Sequence, residues 1–114
     1  MIEPDELFLL LSDKTRLRCL VLLHLEKELC VCEISHTLES IQPKISRHLS
    51  ILRKSRLVQD ERRGKWVYYK INADLDKKTK ALLTTILNSL KGSEPFSLDY
   101  EKLLEFRKSD SCGT

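Results

Sequence analysis

The sequence predicts a mainly α-helical domain with one β-hairpin near its middle. Apolar residues recur at helical spacing over most of the chain, and the period changes to that of a strand only between residues 57 and 71. Gly92 and Pro95 then end the last strongly periodic helix. A chain of 114 residues is long enough for one domain and too short for two. We assign residues 1–92 to this domain and residues 93–114 to a C-terminal extension or tail.

The first two helices are indicated by their ends and by their apolar content. Pro4 begins a short apolar helix over residues 5–11, whose first turn is acidic, as helix N-termini favour. Ser12 or Asp13 can cap a second helix that runs to about Glu28. This second helix is apolar over most of its circumference, so we expect it to be the buried central helix.

The next two helices have the arrangement of a helix-turn-helix. A short helix covers about residues 32–38, and a longer one begins near residues 40–43 and runs to Ser55. The longer helix is amphipathic. Its apolar face holds Ile41, Ile45, Leu49 and Leu52, and its opposite face holds Lys44, Arg47, Ser50 and Lys54. A short helix, a turn and an amphipathic helix together predict a helix-turn-helix.

A hairpin and a last amphipathic helix complete the domain. Residues 57–62 and 65–71 read as two strands joined at Arg63-Gly64, with basic residues at the tip. Residues 76–91 are helical again, and one weak helix is expected at residues 98–107. The apolar stripe of the penultimate helix is Leu82, Leu83, Ile86, Leu87 and Leu90. The order of two helices, a short helix, an amphipathic helix, a β-hairpin and a further helix predicts a winged helix-turn-helix in which the hairpin is the wing.

Positive charge is concentrated in the segment that holds the amphipathic helix and the wing. Residues 44–65 contain eight basic and two acidic residues, a net charge of +6, whereas the rest of the chain has 12 basic and 15 acidic residues. This asymmetry indicates a phosphate-binding face, although an ordinary solvated surface is the alternative. The predicted DNA contacts are Gln42, Lys44, Ser46, Arg47 and His48 on the helix and Arg62, Arg63 and Lys65 on the wing.

The leucine content of the first and last helices bears on assembly. These helices hold more leucine than one small core absorbs, which predicts a homodimer through the terminal helices that reads two DNA half-sites. The alternative is that both helices pack on the central helix of their own chain. Their sequence pattern alone does not choose between the two arrangements.

The four cysteines are expected to be thiols in the cytoplasm. No stretch approaches the roughly 18 apolar residues of a membrane span, and the acidic N-terminus is unlike that of a signal peptide. Cytosolic thiols stay reduced, so a metal or redox role is favoured over a disulfide framework. Cys19 is expected in the core and Cys112 is expected to be an exposed thiol of the tail. Cys30 and Cys32, with Glu28 and Glu33 beside them, are the candidate ligands for a soft ion.

Four segments between about residues 4 and 91 resemble the ArsR/SmtB family of winged-helix metal sensors. They are LSDKTRLRCLVLL (11–23), ELCVCEI (28–34), QPKISRHLSILRKSRLV (42–58) and GKWVYYKI (64–71). The resemblance implies a DNA-binding repressor that is a homodimer, has no catalytic cofactor, and is released from its operator by As(III) or Sb(III). It implies that Cys30 and Cys32 are the thiolate ligands and that Gln42 to Leu49 read DNA.

Three positions depart from the family pattern. Ser35 stands where some arsenic-responsive members have a third cysteine, so the third coordination position is open to solvent, a small thiol or Cys112. Ile41 stands where a capping serine is common, so we expect Ser40 to cap the recognition helix. Residues 76–91 contain Asp76 but no His or Cys, which argues against the zinc site of other members.

The spacing of Cys30 and Cys32 suggests how an ion would act. In a regular helix the two side chains lie about 200° apart, so we expect binding to distort the start of the helix-turn-helix. Three other interpretations stay open. In the first, the same repressor responds to thiol oxidation, cadmium or lead. In the second, the chain is a metalloid carrier or a thiol enzyme. In the third, its basic face binds an acidic protein. The chain has no Gly-rich phosphate loop and no cysteine with a local His or Arg partner, so an enzyme is not expected.

Overall fold

A computed structural model describes residues 2–109 and confirms the mainly helical fold with a hairpin wing. The helices and strands follow each other as α1 (Pro4–Leu11), α2 (Lys14–Glu26), β1 (Leu29–Cys30), α3 (Val31–Thr37), α4 (Gln42–Lys54), β2 (Val58–Arg63), β3 (Trp66–Ile71), α5 (Lys77–Leu90) and α6 (Phe96–Ser109). Within residues 2–109, no helix has the length and apolar character required to cross a membrane.

Helix α2 lies at the centre of the core, as its apolar circumference predicted. Its residues from Cys19 to Leu23 are all buried, and α4, α5 and β3 pack around it. Asp13 begins the helix by accepting the Arg16 N–H at 3.0 Å, which selects Asp13 over Ser12 as the cap. Full burial of each leucine side chain contributes about 1.5–3 kcal/mol, so this helix holds the domain together.

The wing belongs to a three-stranded antiparallel sheet with the strand order β1-β3-β2. Strands β2 and β3 pair from Val58↔Ile71 to Arg63↔Trp66, and Gly64 makes the turn with a φ of 62°. Strand β1 was not predicted, because two residues are too short to show a period. It pairs Cys30 with Tyr68 and therefore attaches the cysteine segment to the inner strand of the wing.

Helix α6 is longer than predicted and is part of the same core. It covers residues 96–109 instead of 98–107, and it packs on α2 and α3. Phe96 and Leu103 are buried, and Asp99, which is 2% exposed, accepts two hydrogen bonds from Arg18 at 2.7 and 2.8 Å. The residues assigned to an extension or tail thus include a packed helix. The predicted tail thiol Cys112 lies outside the described residues.

Three helices end in the left-handed region without a glycine, and α4, like α1, begins without a side-chain cap. Lys27, Glu39 and Arg56 have φ values of 65°, 53° and 68° just after α2, α3 and α4. The prediction that Ser40 caps α4 is wrong. Ile41 occupies the N-cap position and makes no side-chain cap bond, and the carbonyl of Ser40 instead accepts the Ser35 hydroxyl.

Candidate nucleic-acid interface and thiol site

The outer face of α4 presents four of the five predicted DNA-reading residues. Gln42, Lys44, Ser46 and Arg47 are all exposed, whereas Ile45, Leu49 and Leu52 on the opposite face are completely buried. This separation follows from helical spacing, because the apolar face packs on α2 and leaves the polar face outside. The prediction that Ile41 belongs to the buried face is wrong, because it is the N-cap residue and is 69% exposed. A helix of this kind fits the major groove, where Gln and Arg side chains pair with base edges.

His48 is buried and does not belong to this face. Only 9% of it is exposed, and its Nδ1 lies 3.4 Å from Arg16 Nη1 and 3.9 Å from Asp13 Oδ1. Burial lowers the pKa of His48, and the charge of Asp13 opposes that effect only in part. The expectation that His48 contacts DNA is therefore corrected, because its position on the wheel turns the ring towards the N-terminus of α2.

The basic residues of the wing are not equivalent. Arg62 and Lys65 are exposed, and Lys65 Nζ lies 5.4 Å above the Trp66 ring. Arg63 donates to both carboxylate oxygens of Glu28 at 2.8 and 2.6 Å, and its guanidinium lies 4.7 Å above the Tyr68 ring. This bond raises the pKa of Arg63 and lowers that of Glu28. Arg63 thus joins the wing to the residue that precedes β1.

The two candidate thiol ligands lie on either side of a structural boundary. Cys30 is the last residue of β1 and the N-cap of α3, with extended backbone angles of φ −88° and ψ 161°, and it is 5% exposed. Cys32 is half-buried in the first turn of α3. The prediction that the two cysteine side chains lie about 200° apart is wrong, because it assumes that both residues are helical. Only Cys32 is helical, so a shared ion does not require a full helical turn to unwind.

Glu33 connects the end of β1 to the first turn of α3. Cys30 and Glu33 form a reciprocal capping box, in which Glu33 Oε1 accepts the Cys30 N–H at 3.0 Å. Burial raises the pKa of Glu33, but hydrogen bonds from Arg107 and from the Cys30 N–H outweigh it, so the net pKa is lowered. Burial and the nearby Glu33 charge raise the pKa of the Cys30 thiol, although the Glu33 N–H opposes them.

A third ligand is not present beside these cysteines in residues 2–109. Ser35 is 8% exposed, and its hydroxyl donates to the Ser40 carbonyl. Asp76 caps α5 by accepting from the backbone and the hydroxyl of Thr79 at 3.3 and 2.7 Å. Within the same residues, no group of three or more His, Cys, Asp or Glu side chains is arranged to hold a metal ion. The proposed third ligand Cys112 lies outside this range.

The remaining cysteine and two histidines have structural contacts. Cys19 is fully buried in α2, as predicted, and burial raises the pKa of its thiol to about 12. His24 Nε2 lies 2.8 Å from Asn88 Oδ1 on α5. The His36 ring stacks on Phe106 of α6, with centroids 4.0 Å apart. We assign none of these three residues to the thiol site.

Comparison with known proteins decides the family. The chain is 42% identical over 89 residues to the arsenic resistance transcriptional regulator ArsR1 of Pseudomonas putida, covering 78% of this chain and 70% of that one. Residues 13–60 also match the sequence model of the family described as "Bacterial regulatory protein, arsR family". The chain belongs to the arsR family.

Two further relatives agree with this membership. The chain is 49% identical over 69 residues to the arsenical resistance operon repressor of Escherichia coli K12, covering 60% of this chain and 59% of that one. The crystal structure of the AntR antimony-specific transcriptional repressor superposes with a TM-score of 0.62 at 26% identity, covering 82% of this chain and 87% of that one. This arsR-family chain is therefore a helix-turn-helix transcriptional regulator and not an enzyme.

Two residues of the thiol site were missed by the sequence analysis. Glu33 had a local signal, because Cys30-x-x-Glu33 has the spacing of a capping box with cysteine in place of serine or threonine. Arg107 had none, because it is 74 residues from Glu33 along the chain and meets it only when α6 packs on α3.

Proposed function

We propose that this arsR-family regulator is a cytoplasmic homodimeric repressor that leaves its operator when As(III) or Sb(III) binds Cys30 and Cys32. The observation that carries the proposal is the position of the two cysteines. Cys30 is in the strand attached to the wing, and Cys32 is in the first helix of the helix-turn-helix. An ion bound by both thiolates links the two parts of the protein that approach DNA.

The exposed face of α4 supports the DNA-binding half of the proposal. A glutamine such as Gln42 can make two hydrogen bonds to adenine, and an arginine such as Arg47 can make two to guanine. Lys44 and Ser46 lie on the same face and are positioned to contact phosphates or bases. Arg62 and Lys65 extend the positive surface along the wing. Since phosphate contacts supply much of the affinity, binding to the operator should weaken steeply with salt.

Exposed apolar side chains on α1 and α5 support the dimer. Phe8 and Leu9 are 60% and 67% exposed, and Leu82 is 49% exposed, so these side chains are available to be covered by a second copy of the chain. Helix α6 is not required for this surface, because it packs on α2 and α3 of its own chain. A dimer through α1 and α5 would place two copies of α4 on successive half-sites.

In their reduced forms, Cys30 and Cys32 suit a trivalent metalloid. Thiolates prefer soft ions, and arsenite reacts with two thiols by exchanging two hydroxyl groups for two As–S bonds, with release of two water molecules and no change of oxidation state. The third coordination position of the arsenic keeps its hydroxyl group or binds another thiol. Ser109 lines the same cavity as Cys32, and Cys112 follows three residues later, a reach of about 11 Å in an extended chain. Cys112 is therefore our candidate for that position.

The coupling to DNA acts through β1 and α3. We infer that an ion shared by Cys30 and Cys32 alters the angle between the strand paired with Tyr68 and the helix α3, which packs on α4. A coupling free energy of about 1–3 kcal/mol, typical of allostery, weakens operator binding about 5- to 150-fold.

A gel-shift titration tests the proposal. The protein, bound to a palindromic operator, is titrated separately with arsenite, antimonite, zinc and cadmium. Release by arsenite or antimonite at concentrations that leave Cys32→Ser bound is the expected result. Cys112→Ser should retain release but shift it to higher concentrations if Cys112 takes the third position. Cys19→Ala is the control, because Cys19 is buried in the core and should not affect the response.

Several outcomes would contradict the proposal. Normal release of the Cys32→Ser variant removes the ligand role. Release by cadmium alone, or by a thiol-specific oxidant without metalloid, assigns a different signal to the same cysteines. Loss of all sequence preference at raised salt would favour a nonspecific basic surface.

A further inference from the structure

The C-terminal end of α6 is bonded to the segment that carries the cysteines. Arg107 Nε donates to Glu33 Oε2 at 2.8 Å, Nη1 to Glu26 Oε1 at 2.6 Å, and Nη2 to the Glu28 carbonyl at 3.2 Å. One guanidinium therefore bridges the end of α2, the residue before β1 and the first turn of α3. Charge-assisted bonds of this kind are about twice as strong as neutral ones.

The same bonds connect Arg107 to the backbone of Cys30 through Glu33. The carboxylate that Arg107 binds is the one that accepts the Cys30 N–H, and the Glu26 carboxylate also accepts the Tyr100 hydroxyl at 3.0 Å. Cys30 itself is 5% exposed. A thiol so buried must be uncovered before it can bond an ion from solution, and the Glu33 carboxylate that Arg107 binds is in direct contact with Cys30.

The rest of α6 is anchored independently of Arg107. Asp99 bonds Arg18, Leu103 is fully buried, and Phe106 stacks on His36. Loss of the Arg107 side chain should therefore loosen only the last turn of α6 and the capping box beneath it, while the helix stays packed.

We propose that Arg107 is a positioning residue that closes α6 over Cys30 and so sets the metalloid concentration at which the repressor responds. This inference rests on the proposed function for its consequence, but its structural part does not. When Arg107 is removed, Cys30 becomes accessible more often, and the same degree of operator release needs less inducer. We expect a shift of about tenfold, within the usual range of allosteric couplings.

The first experiment measures Cys30 accessibility without any metalloid. Full-length protein is treated with iodoacetamide, an uncharged reagent, and alkylation of each cysteine is followed by peptide mapping. Arg107→Ala should alkylate at Cys30 about tenfold faster than the parent, while Cys19, fully buried in α2, stays protected and reports the global fold. Lys108→Ala is the matched control, because Lys108 is an exposed cation of the same helix and takes no part in the Arg107 bonds.

A second variant separates access from charge. Removing Arg107 leaves the Glu33 charge beside Cys30, which by itself slows a thiol reaction, whereas Glu33→Gln removes that charge and weakens the bond to Arg107, because the bond loses its charge assistance. Both variants should speed alkylation and should speed amide hydrogen exchange in residues 29–33. The inference is overturned if Cys30 in Arg107→Ala reacts at the parental rate or more slowly, or if Cys19 becomes reactive to the same extent.

The last measurement distinguishes the two proposals. Operator release by arsenite and, separately, by antimonite is titrated for the parent, Arg107→Ala and Lys108→Ala. If the parent does not respond to any metalloid, the proposed function fails while the alkylation result still decides the role of Arg107. If the parent responds and Arg107→Ala responds at the same concentration, the positioning role is wrong.

Discussion

The ion pair between Arg18 and Asp99 tests whether α6 is part of the cooperative core. Asp99 is 2% exposed and accepts both hydrogen bonds of a bidentate pair, whereas the Arg18 side chain is 25% exposed. Breaking a fully buried pair by removing one partner costs about 3–5 kcal/mol, and water at the Arg18 side chain reduces that cost. For Asp99→Asn, which keeps the volume, we expect a loss of about 2 kcal/mol in the free energy of unfolding.

Urea unfolding measures this loss. With an m-value of about 2 kcal/mol/M, the midpoint should fall by about 1 M at an unchanged slope and a fixed protein concentration. Glu39→Gln is the control, because it breaks the exposed bond between Glu39 and Lys102 and should leave the midpoint unchanged. The reasoning is refuted if Asp99→Asn behaves like Glu39→Gln, or if its slope falls, because a smaller slope means that α6 unfolds separately.

Three other expectations follow from single residues. Arg47→Ala should weaken specific operator binding about 5- to 150-fold by gel shift, since a bidentate base contact is worth about 1–3 kcal/mol, and unchanged affinity would remove α4 from the interface. Gly64→Ala should destabilise the wing by about 1 kcal/mol in thermal unfolding because φ is 62° there, whereas Gly92→Ala, with the same open surroundings, should not. The pKa of His48 is lowered from its usual 6.5, chiefly by burial, so the unfolded chain binds this proton more tightly. Stability should therefore decline as the pH falls from 7 to about 5, and His48→Gln should flatten that decline in calorimetry.

Features with a local periodic signal were predicted from the sequence. The buried face of α4, the central position of α2 and the hairpin all follow from spacing that is repeated over ten or more residues. The exposed positions of Gln42 and Arg47 follow from the same wheel. Asp13 was one of two caps offered by the sequence, because the signal of a cap lies within three residues, and the structure selects it over Ser12.

Features that depend on contacts between distant segments were not predicted. Strand β1 exists because β3 offers it a backbone partner, and its two residues carry no period of their own. The packing of α6 rests on Asp99 meeting Arg18, 81 residues away. Cys30 lies outside the helix, so the predicted separation of 200° does not apply to it. Its backbone is extended because β1 pairs with β3, and the helix begins only after Cys30, where the Glu33 side chain accepts the Cys30 N–H.

The junction at Cys30 and Val31, where a strand ends and a helix begins, has an evolutionary consequence. The side chains beside this junction are separate from Gln42, Lys44, Ser46 and Arg47, and the pairing of Cys30 with Tyr68 uses only the main chain. An exchange of donor atoms at the junction leaves both the strand pairing and the exposed side of α4 intact. Under the proposed function, descendants of such a regulator are thus able to acquire a new chemical signal while keeping their old operator, or a new operator while keeping their signal.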